Sequence, residues 1–300
     1  MSSIVREASH AGSWYDEGGA RLESQLDGWL AAANSDADSN HTPARAIIAP
    51  HAGYSYSGPT AAFAYKQIIP DNVQRVFILG PSHHVYLKGC ALSRCTEYAT
   101  PLGNLKLDAA IIAELNATQS FEFMTKSVDE EEHSIEMHLP YIRKVFNKNA
   151  NATIVPILVG ALATEKEAVY GKILAPYLAN PANIFVVSSD FCHWGSRFNY
   201  TYTTSSQVPI HESINILDHQ GMALIERLDC DGFAAYLKST KNTICGRHPI
   251  GVLLQAIRAV RTTDTAFQPN LKFVKYAQSS ACKTQRDSSV SYASASLRVD

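Results

Sequence analysis

The chain has 300 residues, of which 46% are apolar, and 26 basic against 28 acidic side chains leave a formal charge of −2. That length and apolar content can bury a large core, and near-neutrality gives no basic surface for nucleic acid. No apolar run approaches the roughly twenty residues that span a bilayer, so no membrane insertion is expected.

The opening segment, Met1 to Glu7, is polar and lacks the apolar core of a secretory leader. A cytoplasmic address is therefore expected, with the nucleus also open to the protein. Six cysteines, at 90, 95, 192, 230, 245 and 282, are scattered without CxxC pairs. In a reducing compartment they are expected to be free thiols. Four N-x-[ST] sequons, at Asn40, Asn116, Asn151 and Asn199, read as chance without a secretory route.

In chain order, apolar spacings of three and four predict helices over Ala20 to Ala33, Thr60 to Ile69, Asp108 to Asn116 and Ile135 to Phe146. Others follow over Glu165 to Leu178, Ile210 to Arg227 and Ile250 to Val260. Between them lie short β-branched runs at 45–49, 75–79, 153–159 and 183–188, apolar on both faces, as strands in the middle of a helix-covered sheet are. Leu271 to Tyr276 and Val290 to Val299 alternate more and predict half-exposed strands. The polar stretch 34–43 reads as a surface loop, too short for a domain break. The expected architecture is one α/β domain over residues 1–300, a mixed central sheet with helices on both faces.

Three of the buried runs end in reactive residues: Pro50-His51, Pro81-Ser82-His83-His84, and Ser188-Ser189-Asp190-Phe191-Cys192-His193. In α/β sheets ligands bind in the crevice outside the carboxyl ends of the strands, so these segments can converge on one pocket. Cys245 precedes the helix expected near Ile250. There the helix dipole, Arg247 and His248 are expected to favour its thiolate, making it the candidate reactive or metal-bound thiol. Cys192 and Cys230 read as small buried hydrophobes. In the acidic run ending Glu132-His133-Ser134-Ile135-Glu136-Met137-His138, Glu132 and Glu136 are spaced to share a helix face, and His133 to meet Glu136. Two readings stand for this segment: a solvated helix start favoured by the dipole, or support behind a site.

Taken together, His10-Ala-Gly-Ser-Trp-Tyr15, Ile48-Ala-Pro-His-Ala-Gly-Tyr54, Leu79-Gly-Pro-Ser-His-His84, Glu132 to His138, Ser188 to Gly195 and Asn242 to Gly251 resemble the Memo family. The name stands for mediator of receptor-tyrosine-kinase-driven cell motility, and the likeness runs from about His10 to Ala293. It implies a fold similar to class III extradiol dioxygenases, which hold iron on two histidines and a carboxylate. The resemblance also implies His51, His83 and Cys245 as metal ligands, with Asp190 and His193 beside them and Trp14 and Tyr56 lining the pocket. A thiolate in place of the carboxylate favours copper, zinc or thiolate-bound iron over hard-ligand chemistry and makes ring cleavage an unsuitable activity.

Two functions follow as expectations. In the first, copper or iron, with zinc as a third candidate, is bound for redox chemistry, and His193, oriented by Asp190, moves protons. In the second, an adapter receives a phosphotyrosine peptide of a receptor tyrosine kinase, with Arg247 near the phosphate and Trp14 or Tyr56 near the ring. The resemblance also implies a part in cytosolic signalling, cell motility and metal and redox homeostasis.

Overall fold

The computed structural model describes residues 3–149 and 151–300. The first half of the chain runs β1 (Val5–Arg6), α1 (Gly19–Asn34), β2 (Ala46–Ala49), α2 (Tyr54–Tyr65) and β3 (Arg75–Pro81). Next come β4 (Cys90–Leu92), β5 (Glu97–Tyr98), β6 (Leu105–Lys106), α3 (Ala109–Ala117), β7 (Phe121–Phe123), α4 (Lys126–Glu131), α5 (His133–Glu136) and α6 (Leu139–Val145). The second half runs β8 (Thr153–Val159), α7 (Thr164–Ala179), β9 (Asn183–Ser188) and β10 (Asp190–Trp194). It closes with α8 (Ile210–Glu226), α9 (Cys230–Thr240), α10 (Arg247–Thr263), β11 (Pro269–Gln278) and β12 (Ser289–Val299).

Among the described residues, nine strands form one mixed sheet in the order β10-β12-β2-β9-β3-β8-β4-β7, with β11 also on β12. β2, β9, β3 and β8 are parallel and side by side. The connections β2-α2-β3 and β8-α7-β9 step across the sheet in opposite directions. Right-handed crossovers therefore place α2 and α7 on opposite faces. α1 packs on α2, and α10 packs along α7 and onto β3 and β9, so the central strands are covered twice. This is why β2, β3, β8 and β9 are apolar on both sides and almost wholly buried.

Several elements differ from expectation for local reasons. α2 starts at Tyr54, ahead of the predicted Thr60, and carries Pro59 in its interior. Gly58, which looks like a breaker, is required because a Cβ there would sit 2.5 Å from the Trp29 ring of α1. The helix expected over Ile135 to Phe146 is broken at Met137-His138, with Pro140 opening α6. α4 and α9, which sequence periodicity did not indicate, are capped by Thr125 and Asp229. β12 is buried rather than half-exposed, because β11 runs along one side of it, β2 and β10 follow one another along the other, and α2 packs on its face. Among the described residues, no helix is long and apolar enough to cross a membrane.

Candidate metal centre

β2, β9 and β3 are adjacent, and their registers bring Ala49 level with Ser188 and Leu79 level with Val187. The residues that follow each strand therefore emerge along one edge, as the crevice rule requires. His51 follows β2, His83 follows β3, and Ser188 ends β9. Cys245 arrives from the other side, on the segment that enters α10.

His51 is buried, and its Nδ1 lies 2.6 Å from Ser188 Oγ. That hydroxyl donates its single proton to the Ser134 carbonyl at 2.7 Å. Ser188 can then only accept from His51, which puts the imidazole proton on Nδ1 and leaves the Nε2 lone pair unused. Nε2 lies 3.1 Å from Cys245 Sγ. Burial, reinforced by the surrounding histidines His83, His133, His138 and His193, lowers the His51 pKa well below its ordinary value. The ring is neutral, the form a metal needs.

His83 is fixed in a parallel way by Glu132, which accepts from its ring Nδ1 at 2.8 Å and from its backbone N–H at 2.7 Å. Glu132 also accepts from the Ser134 N–H at 2.9 Å. Burial alone would raise this carboxyl. The hydrogen bond and charge of His83 and the backbone N–H groups of His83 and Ser134 outweigh it and bring it down to about 2. Glu132 is therefore an anionic acceptor that leaves His83 Nε2 free. Of the two readings of this acidic segment, the solvated helix start is overturned: Glu132 and Glu136 are both buried. Nor does His133 meet Glu136, which instead takes His10, Tyr15 and Arg6.

Cys245 completes the set: one donor atom each from His51, His83 and Cys245 lie within 4.8 Å of one another. The Asp190 N–H donates to its sulfur at 3.2 Å. The expected thiolate is corrected here. Burial, followed by the nearby Asp190 carboxylate, pushes the thiol up strongly, and the N–H groups of Asp190 and Gly246 and the Arg247 charge offset this only in part. Arg247 lies elsewhere, donating to the Ile244 carbonyl at 3.2 Å and lining a separate cavity with His248. It does not reach the histidines, so its expected role in this pocket is withdrawn.

Asp190 and His193 both border the pocket, but not as a pair. His193 Nδ1 lies 2.9 Å from the Phe191 carbonyl and 3.1 Å from the Thr243 carbonyl, and its N–H donates to Thr243 Oγ1 at 2.7 Å. Two carbonyl acceptors place the proton on Nδ1 and leave Nε2 as the available nitrogen. Asp190 instead accepts the His51 N–H at 2.9 Å, and burial raises its pKa. The expectation that Asp190 orients His193 therefore fails; Thr243 does so.

His133, which sequence reasoning passed over as a ligand, stacks on His83 with ring centroids 4.3 Å apart and on Trp14 at 4.4 Å. Burial, then the His83 charge, pulls its pKa down to about 3. It forms a second group with His83 and Glu132 whose donor atoms also lie within 4.8 Å. Its one sequence signal was adjacency to Glu132. His51, His83, His133, Asp190 and His193 border a cavity of about 610 Å³, with Trp14, Tyr56 and Arg197 also in its lining. Tyr56 is 63% exposed and Trp14 36%, which puts both at the mouth.

The donor set suits a soft or borderline ion, with two imidazoles whose Nδ1 atoms are held by Ser188 and Glu132 and one half-buried cysteine sulfur. A cation would also lower the thiol's pKa, reversing the effect of burial.

The chain matches the family model described as Memo-like protein over residues 6–296. It is 55% identical over 298 residues to Protein MEMO1 of Xenopus laevis and 54% identical over 297 to Protein MEMO1 of Homo sapiens, covering 99% of this chain and 98% of each relative. Protein memo-1 homolog of Caenorhabditis elegans is 50% identical over 98% of this chain and 83% of its own length. The crystal structure of an uncharacterized protein from Escherichia coli K12 superposes with a TM-score of 0.47 at 14% identity, over 83% of this chain and 98% of that one. With a family model spanning nearly the whole chain and half or more of its residues shared with these relatives, the chain belongs to the Memo family.

Proposed function

We propose that His51, His83 and Cys245 hold one copper or iron ion, with zinc as a third candidate, and that the protein serves cytoplasmic metal and redox handling linked to signalling and cell motility. The observation that supports this most is the second layer. Ser188 and Glu132 each occupy the Nδ1 of one histidine, so each ring has its other nitrogen, Nε2, left for the site that Cys245 shares. A core that merely satisfied its histidines would have no reason to gather two ring nitrogens and a thiol at one point.

Bound copper or iron would supply a one-electron couple. The chain's own contribution is to bind and to move protons: Cys245 must release one on binding, and His193 keeps Nε2 available at the pocket wall. Sulfur in place of a carboxylate argues against extradiol ring cleavage.

A second reading rests on the pocket mouth, where Arg197, Trp14 and Tyr56 line the same cavity. An aromatic wall with one guanidinium suits the aryl phosphate of a phosphotyrosine peptide, with Arg197 taking the part expected of Arg247.

Metal analysis of protein purified without chelator or affinity-tag metal, followed by oxygen uptake with a reductant on copper-loaded and iron-loaded samples, tests the proposal. One ion per chain and uptake above the free-metal control are expected. Protein that isolates metal-free and takes up neither ion would overturn the metal reading, and a phosphotyrosine peptide competing for the cavity would favour the second.

A further inference from the structure

A second cavity, of about 670 Å³, lies between the start of α7, one face of α9 and the start of α10. It is separate from the histidine pocket and takes no part in the function proposed above. The two share a wall at Thr243, which lines this cavity and holds His193 in the other. Its volume falls within the range of small-molecule sites, about 300–1,000 Å³.

The lining divides by chemistry. Leu162, Phe233, Leu237 and Leu254, from three different parts of the chain, supply an apolar interior. Lys238, Lys241 and Arg247 stand around it, and none of the three pairs with a carboxylate among the described residues. Of the two acids present, Glu167 is already engaged, holding His248 Nδ1 at 2.7 Å. Gly251 permits that arrangement, since a Cβ there would meet the Glu167 carboxylate at 2.5 Å. Glu165 is left as the one uncommitted carboxylate against three cations. α7 and α10 also begin at this cavity without a side-chain cap, which adds partial positive charge to the same rim.

We propose that this cavity is a binding site for a small amphipathic anion, an apolar body bearing one carboxylate or phosphate monoester. The apolar body displaces water from the Phe233 and Leu254 floor, and the head group takes the Arg247 fork and the two lysines. A neutral ligand of the same shape would leave the cations without a partner, and a compact inorganic anion would leave the apolar floor wet.

Calorimetric titration of the full-length protein with n-decanoate, n-decyl phosphate, decan-1-ol and inorganic phosphate is the test. One of the two anionic amphiphiles should bind saturably at one per chain, at least about tenfold tighter than decan-1-ol or phosphate. Which of them binds tighter identifies the head group. The exposed pair change Lys238→Glu with Lys241→Glu should weaken that binding at least about tenfold. Ala234→Trp should fill the cavity and abolish it, and should this variant fold poorly, the exposed lysine pair still decides. Tyr56→Ala, in the other pocket, should leave it unchanged. Absence of saturable binding by both amphiphiles, equal binding of decan-1-ol, insensitivity to the lysine changes, or loss with Tyr56→Ala would each overturn the proposal. None of these outcomes bears on copper or iron binding, which the lysine variants should retain.

Discussion

Glu132 sets the position of His83 through both carboxylate oxygens, one on the ring and one on the backbone N–H. Glu132→Gln removes the charge that draws the Nδ1 proton while keeping the shape. Competitive titration should show metal affinity lower by about 10-fold to 100-fold, the usual cost of losing such a partner; unchanged affinity would mean His83 is not a ligand. On the proposed function, His193→Ala should bind metal nearly as the parent does and lose oxygen reduction, because its Nε2 is left to handle protons and is not among the three proposed ligand atoms. Asp190→Asn should behave differently from it. Asp190 holds the His51 backbone, and an amide there should cost about 1–3 kcal/mol of stability and weaken metal binding as well. Parallel unfolding curves for the two variants separate these outcomes. At this scale His51 and His83 were legible in the sequence as residues just past buried strands, and Cys245 as a thiol ahead of a helix. The Glu132 segment was open to a supporting role, but which residue holds which histidine was not legible: Ser188, Glu132 and Thr243 are 137, 49 and 50 residues away from His51, His83 and His193, distances that only the folded sheet closes.

Two connections between elements carry the site. Gly246 follows Cys245, and a Cβ on it would lie 2.3 Å from the Ser188 carbonyl oxygen, so the segment entering α10 lies directly on the end of β9. Gly246→Ala should push Cys245 off that strand end, costing about 1–3 kcal/mol as overpacking does and lowering metal affinity with it; a variant with parent-like melting and affinity would show that the segment has room. The other connection is Arg6 in β1, fully buried between Asp129 at the end of α4 and Glu136 in α5. Glu136 also takes the His10 ring and the Tyr15 hydroxyl, so it ties the chain around Trp14 to the helix bearing His133. Arg6→Met should destabilise the protein by about 3–5 kcal/mol, because two buried carboxylates lose their cation. The amphipathic helices α1, α3, α7 and α8 were legible because each buries one stripe, and α10 because of its apolar spacing, although it is buried almost all round from Pro249 to Ile257. The break between α5 and α6 was not, since Glu132 and Glu136 there serve buried partners rather than helical periodicity.

The whole molecule holds several ionisable groups in their unfavoured environment, and this fixes its response to acid. Burial depresses His138 to about 3, and Glu136 is brought down to about 2 by His10 and Arg6 against the opposing effect of burial. Below its ordinary pKa near 6.5 an unfolded histidine takes up a proton that folded His138 refuses, so stability falls as pH drops from there towards 3. Glu136 acts in the same direction, its contribution present above about 4.5 and lost as pH falls towards 2. The metal-free protein should therefore melt progressively lower from pH 7 to 5, with His138 contributing up to about 1.4 kcal/mol per pH unit. His138→Gln, which keeps an acceptor for the Tyr65 hydroxyl, should flatten that slope; an unchanged slope would assign the acid sensitivity to other groups. The layered α/β architecture was legible in the doubly apolar strand runs, whereas the burial of β12 was not, because alternation in one strand does not reveal that neighbours will flank it on both sides. That sheet places two fixed imidazoles and a thiol at one point, and the measurement that tests this most directly is anaerobic titration of parent and Cys245→Ser protein with copper(I) and iron(II). Saturation at one ion per chain is expected in the parent, with a strong loss of affinity in the variant at unchanged fold; equal affinity in the two proteins would show that the thiol is not a ligand.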